Sequence, residues 1–113
     1  MDVIDIICFV IFLLVALIMT TIGAAQIRSQ TPVAFYSGEK PFEEKELSDV
    51  SMWNKKHGLM WISYGITILL SYVVGTFVAA NSVWYVIFIV GGTILPIFVM
   101  IWYHHRLIRL YQR

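Results

Sequence analysis

Few side chains in this sequence could do chemistry, and several of them fall in one place. The stretch WNKKHGLMW, residues 53–61, holds Trp53, Asn54, two lysines and His57 at the start of a long apolar run. On a helix, Asp49, Trp53, His57 and Trp61 are spaced by four and share a face. Asn54 lies beside them, three residues before His57. Imidazole carries protons near neutral pH and is a common metal ligand. The other two histidines, His104 and His105, follow the last apolar run. If His57, His104 and His105 converged, they would suit zinc, with Asp49 or Asn54 orienting a ring. The alternative is an interfacial belt of histidines beside Trp and Arg. The chain has no phosphate-cradling glycine loop, nucleophile elbow, His-Glu-x-x-His pattern or cysteine pair. Cys8 is the single cysteine, so no intrachain disulfide forms, and it reads as a small packed hydrophobe. No catalytic residue, metal or other cofactor is assigned, and the chain reads as non-enzymatic.

The elements that would position these residues are membrane helices. Of 113 residues, 59% are apolar and only 13% charged, with a mean hydropathy of +0.79. Soluble domains carry about twice that share of charge. Residues 6–27 and 58–103 hold no Lys, Arg, Asp or Glu. A helix crosses the ~30 Å hydrocarbon core with ~20 apolar residues. The runs therefore predict three spans, at 3–25, 58–80 and 83–103. A buried soluble core is the competing reading, but a chain of this length could not bury so much apolar surface. A cleaved signal peptide is the rival for the first span. It wants a basic start and an apolar stretch of about 7–15 residues, whereas this start carries Asp2 and Asp5 and runs longer. One very long helix is the rival for the last two spans, but it would far exceed the bilayer, and Asn81–Ser82 is placed to turn. The expected fold is an all-α, single-domain, three-helix transmembrane protein with a loop at 26–57, a tight hairpin between helices two and three, and a basic tail at 104–113.

The charges predict an orientation. Arg28, Lys40, Lys45, Lys55 and Lys56 lie in the loop, and Arg106, Arg109 and Arg113 in the tail. With three spans, all of these fall on one side, which the positive-inside rule makes cytoplasmic. The N-terminus is then outside. Trp53, Trp61, Tyr64, Trp84, Tyr85, Trp102 and Tyr103 are expected as interface anchors. The stretch 39–49 reads as a solvated loop. From Ser48 or Asp49, which can cap a helix, a helix is expected to run into the second span. Lys55 and Lys56 point away from the His57 face and suit lipid phosphates. The tail reads as a basic amphipathic end lying on anionic lipid.

Within the spans, Ser63, Thr67, Ser71, Gly75 and Ala79 form a ladder of small residues four apart, and Ala16, Thr20 and Ala24 a shorter one. Small faces let helix backbones approach, within one subunit or between copies. Pro96 is expected to kink the third helix and strand the carbonyl of Gly92, with Thr93 satisfying a freed carbonyl. No Lys, Arg, Asp or Glu lies deep in any span, which argues against a proton-coupled pump.

The order of one span, a loop and a two-span hairpin resembles the repeat of SdpI-type bacterial membrane proteins. Thr31-Pro32 and the Trp53–His57 pair match that family's loop in type and, for the pair, in spacing. Arg28 is not adjacent to Thr31 as the family's arginine would be, and the stretch between Pro32 and Trp53 is longer. The FYSGEK and WNKKHGLMWISYG stretches also look like small three-span proteins of Gram-positive bacteria. The first resemblance implies an immunity-like or signal-relay role against membrane-active peptides. Thr31, Pro32, Trp53, Asn54 and His57 would then be the partner or ligand contacts. A subunit of an oligomeric transporter, or a metal-dependent enzyme using His57, His104 and His105, are the alternatives. Expected partners are membrane lipids, a second copy through helix two, and a protein or peptide; a net charge of +1 offers no general attraction to nucleic acid.

Overall fold

The computed structural model describes residues 2–35, 39–79 and 82–113. It contains three long helices, α1 (Val3–Arg28), α2 (Val50–Ala79) and α3 (Val83–Tyr111). A short 3₁₀ turn, η1 (Glu44–Glu46), interrupts the loop before α2. All three helices are long and apolar enough to cross a membrane, so this is a multi-pass membrane protein by length and composition. The molecule measures 53 Å along its longest axis. That exceeds the ~30 Å hydrocarbon core, so part of the bundle stands clear of it.

Each start has a local reason. Asp2 caps α1: its carboxylate accepts from Asp5 N at 2.8 Å, and Asp5 reciprocates to Asp2 N at 3.4 Å. This is a capping box in which both members are acidic, which suits the positive end of the helix dipole. Asp49 accepts from Met52 N at 3.0 Å and starts α2, as expected. The turn expected at Asn81–Ser82 lies partly outside the described residues. The Ser82 carbonyl accepts from Tyr85 N at the head of α3.

The middle helix holds the bundle together, because α1 and α3 both pack on α2. The α1–α2 contact is antiparallel and rests on small residues. A Cβ on Gly23 would collide with the carbonyl of Gly58, and a Cβ on Gly58 with that of Gly23. A Cβ on Gly65 would stand 2.9 Å from the Ala16 carbonyl and 3.2 Å from Thr20 Oγ1. Ala16 and Gly23 are seven residues apart, as are Gly58 and Gly65, so one face of each helix carries a small residue every two turns. Backbones meet closely there, and dispersion replaces the hydrophobic force that lipid cannot supply. Tyr72 extends the seam by stacking on Phe12, with centroids 4.6 Å apart, and by donating to the Asp5 carbonyl.

The Ser63–Ala79 ladder faces elsewhere. Ser71 occupies the space a side chain on Gly92 would need, and a Cβ on Gly75 would lie 3.3 Å from that of Phe88. These members of the ladder thus pack on α3 within the subunit. Ser63 is exposed and Thr67 half-buried, and both line the flank of the α2–α3 contact. The side chain of Ala79 lies outside what the structure describes. Thr93 does not rescue a carbonyl: its buried Oγ1 has no hydrogen-bond partner. Instead Tyr64 donates to the Thr93 carbonyl at 2.7 Å, next to the Gly92 carbonyl that Pro96 cannot serve.

The segment expected as a lipid-lying tail is the last part of α3. Met100, His104 and Leu107 are buried at helical spacing. Beyond them Ser48 N donates to the Tyr111 carbonyl at 2.7 Å and Arg113 N to the Glu46 carbonyl at 2.8 Å. Leu47, between Glu46 and Ser48, is buried with Trp53 and Leu107. The stretch 39–49 is therefore anchored rather than wholly solvated.

Gly58→Leu should drive side-chain atoms into the Gly23 backbone and destabilise the bundle by about 1–3 kcal/mol or more. Gly91→Ala, whose new methyl meets nothing nearer than 3.9 Å, should leave stability unchanged or slightly raised. Reversible unfolding in mixed detergent micelles measures both.

Candidate functional site

The first two turns of α2 carry the residues picked out by their chemistry. Trp53, Asn54 and His57 are 1%, 1% and 0% exposed. They face the loop and the end of α3.

Asn54 is fully engaged by the loop. Its Oδ1 accepts from Val33 N at 3.0 Å, and its Nδ2 donates to the carbonyls of Ser29 (3.0 Å) and Thr31 (2.9 Å). Ser29 ends α1, so one side chain of α2 satisfies the backbone as it leaves α1. Trp53 Nε1 donates to the Val33 carbonyl at 3.0 Å. Thr31 meets Asn54 through its backbone carbonyl, and Pro32 lies between Thr31 and Val33, the two loop residues whose backbone Asn54 and Trp53 bond. Trp53 was expected at the lipid interface, and Tyr64 too. Both are buried in the protein, because their polar atoms bond the Val33 and Thr93 carbonyls. Trp84 and Trp102 are exposed, as interface anchors would be.

His57 and His104 meet. The two rings belong to the loop-side ends of α2 and α3, outside the spans that the apolar runs of the sequence predict at 58–80 and 83–103. His57 Nδ1 is 2.9 Å from the Trp53 carbonyl, four residues back, and Nε2 is 2.8 Å from His104 Nδ1. A carbonyl only accepts, so His57 carries its proton on Nδ1. Burial pulls His57 down from 6.5 to about 4, which keeps the ring neutral and Nε2 an acceptor. His104 Nδ1–H then donates to it. Burial lowers His104 as well, with the Glu39 carboxylate pulling the other way.

The far nitrogen of His104 faces Glu39 Oε2 at 3.0 Å. With Nδ1 already the donor, that contact requires one proton shared between ring and carboxyl. The other oxygen of Glu39 accepts from Phe35 N at 2.8 Å. The Phe35 ring lies 4.7 Å from that of His104 and 5.7 Å from that of Trp61. A hydrogen-bonded chain thus runs from the loop (Glu39) through α3 (His104) to α2 (His57), and ends on the Trp53 carbonyl.

The chain's chemistry follows from its ends. A backbone carbonyl does not pass a proton on, so the chain holds a proton and does not conduct one across the bundle. Both nitrogens of His57 are engaged. His105 is exposed, its ring centroid 5.8 Å from that of His104. Among the described residues no three His, Cys, Asp or Glu side chains are grouped to hold a metal ion. Two of the three histidines converge, and they do so as hydrogen-bond partners.

Glu39, Val33, Leu47 and Leu107 were missed from the sequence. The inward spacing of Met100, His104 and Leu107 carried a signal for the last of these. Glu39 carried none, since it looked like one acid among several. No family model, curated protein or solved structure matches the chain.

Asn54→Leu should strand the Ser29 and Thr31 carbonyls and the Val33 amide, at about 1–3 kcal/mol for each group that water does not reach. Hydrogen exchange at the Val33 amide should accelerate, with the spans still protected. Acid should loosen the same cap. Because folding lowers the pKa of His57, its stabilisation is present above about 6.5 and is lost as pH falls toward about 4. Protease cleavage of the loop in detergent should therefore rise over that interval, and the rise should shrink in His57→Gln.

Proposed function

We propose that the protein is a non-enzymatic relay of a bacterial inner or plasma membrane, immunity-like in acting against membrane-active peptides. The loop and the basic C-terminal tail would be cytoplasmic and the N-terminus outside, on the distribution of lysine and arginine. The observation that carries the reading is the Glu39–His104–His57 chain, which joins the loop to two membrane helices. A helix displaced by a peptide or by bilayer stress would shift His57 against His104 and loosen Glu39, altering what the loop presents to a protein partner. The residues behind the family resemblance, Thr31, Pro32, Trp53 and His57, lie together in this same cap, which supports the reading. Trp53, Asn54 and His57 would act through the loop they hold, since they are buried beneath it. The transport-subunit alternative draws less support, because Ser71 and Gly75 already pack on α3.

Deleting the gene should raise sensitivity to at least one class of membrane-active peptide, and restoring it with His104→Ala should leave the defect in place at normal protein level. Unchanged sensitivity across a broad panel would overturn the proposal.

A further inference from the structure

Along the flank of the α2–α3 contact runs a groove of about 1000 Å³. Its floor is the buried set Met60, Tyr64 and Met100. Gly91 and Gly92 both line it, and Gly91 gives it width, since a Cβ there would meet nothing nearer than 3.9 Å. Lys55 and Lys56 stand at its loop-side mouth, and Ile87 and Phe88 line it from the helix α3 start. No Asp or Glu lines it, and neither lysine has an ion-pair partner among the described residues.

Length and charge together identify an occupant. From the Lys55–Lys56 pair to Ser71 the groove follows α2 for about 22–24 Å at 1.5 Å per residue, with Met52 lining it one turn above the lysines. Half a bilayer, from headgroup to midplane, is about 20–22 Å. The groove is therefore one leaflet deep, cationic at headgroup level and apolar below. Ser63 is exposed about two turns beneath the lysines and offers a hydroxyl where the polar part of a lipid gives way to its chains. We propose that this groove binds an anionic phospholipid of the loop-side leaflet, its phosphate on Lys55 and Lys56 and an acyl chain along α2 and α3. One molecule then supplies both the anion and the hydrocarbon that the site lacks. The proposal is independent of the relay reading, which concerns the opposite side of the α2 start.

The test uses the purified full chain in a neutral detergent, titrated with phosphatidylglycerol, with phosphatidylcholine of the same acyl chains, and with inorganic phosphate. Bound species are read by native mass spectrometry. Phosphatidylglycerol should be retained well above phosphatidylcholine, and phosphate alone should not bind measurably. The double variant K55Q/K56Q, altered at two charged positions outside the core, should weaken phosphatidylglycerol binding roughly 30-fold. Gly91→Phe, which fills the groove, should weaken both lipids; Ser63→Leu replaces it should that variant lose its helical melting transition. Equal retention of the two lipids, binding of phosphate as tight as that of the lipid, variants that bind like the parent, or a dimer that excludes lipid would each overturn the proposal.

Discussion

The 2.8 Å contact between His57 Nε2 and His104 Nδ1 is where α2, α3 and the loop become one unit. It works because every other polar atom in the chain is already committed. The Trp53 carbonyl fixes the His57 tautomer, that tautomer fixes the donor on His104, and the remaining nitrogen of His104 is turned to Glu39. Phe35, Trp53 and the two rings themselves shield the chain from water. Low local dielectric strengthens each bond and raises the cost of leaving any one unmade. Removing a single member is therefore felt by its neighbours, and the effects of substitutions here should not add.

The two helix pairs reach close contact by different means. Between α1 and α2 there is little to bond with, so Gly23, Gly58, Gly65 and Ala16 bring the backbones together. Between α2 and α3 the contact is mixed. Ser71 and Gly92 meet closely, Tyr64 bonds the Thr93 carbonyl near the proline, and the histidine pair closes the loop-side end. A seam of small residues is uniform and adaptable. A seam with directed bonds is specific, and it is on this second side that a displacement of one helix would break a countable set of bonds.

The spans were legible because hydrocarbon imposes one simple demand, about twenty uncharged residues, and the sequence meets it three times. The ends were less so. Hydropathy marks what lies in lipid, whereas α2 starts at Val50 and α3 runs to Tyr111. The Asp49 cap announced the first extension. The second was hidden by Arg106 and Arg109, which made an inward stripe look like a surface tail. The grouping of Trp53, Asn54 and His57 could be read from spacing by three and four. The partner of His104 could not, because Glu39 lies 65 residues away, in a loop with no periodicity to betray which of its acids turns inward. Small residues misled in a related way. The ladder with the longest register, from Ser63, packs on α3 in part, while the closest approach used the sparser heptad pair Gly58 and Gly65.

Among the described residues, the polar side-chain bonds gather at the loop end of the bundle, while the α1 capping box and the Tyr72–Asp5 bond lie toward the other. That asymmetry has a physical basis. Helix ends and loops expose backbone groups that hydrocarbon cannot satisfy, and the loop joining α1 to α2 brings many such groups to the same end. Asn54 and Trp53 answer four of them with two side chains. Having been buried for that purpose, they make a dry site in which two imidazoles and a carboxyl can share a proton. The requirement to seal the loop onto the bundle thus creates the setting in which protonation of His57 is costly, and a structural seal of this kind responds to acid without any residue dedicated to sensing it.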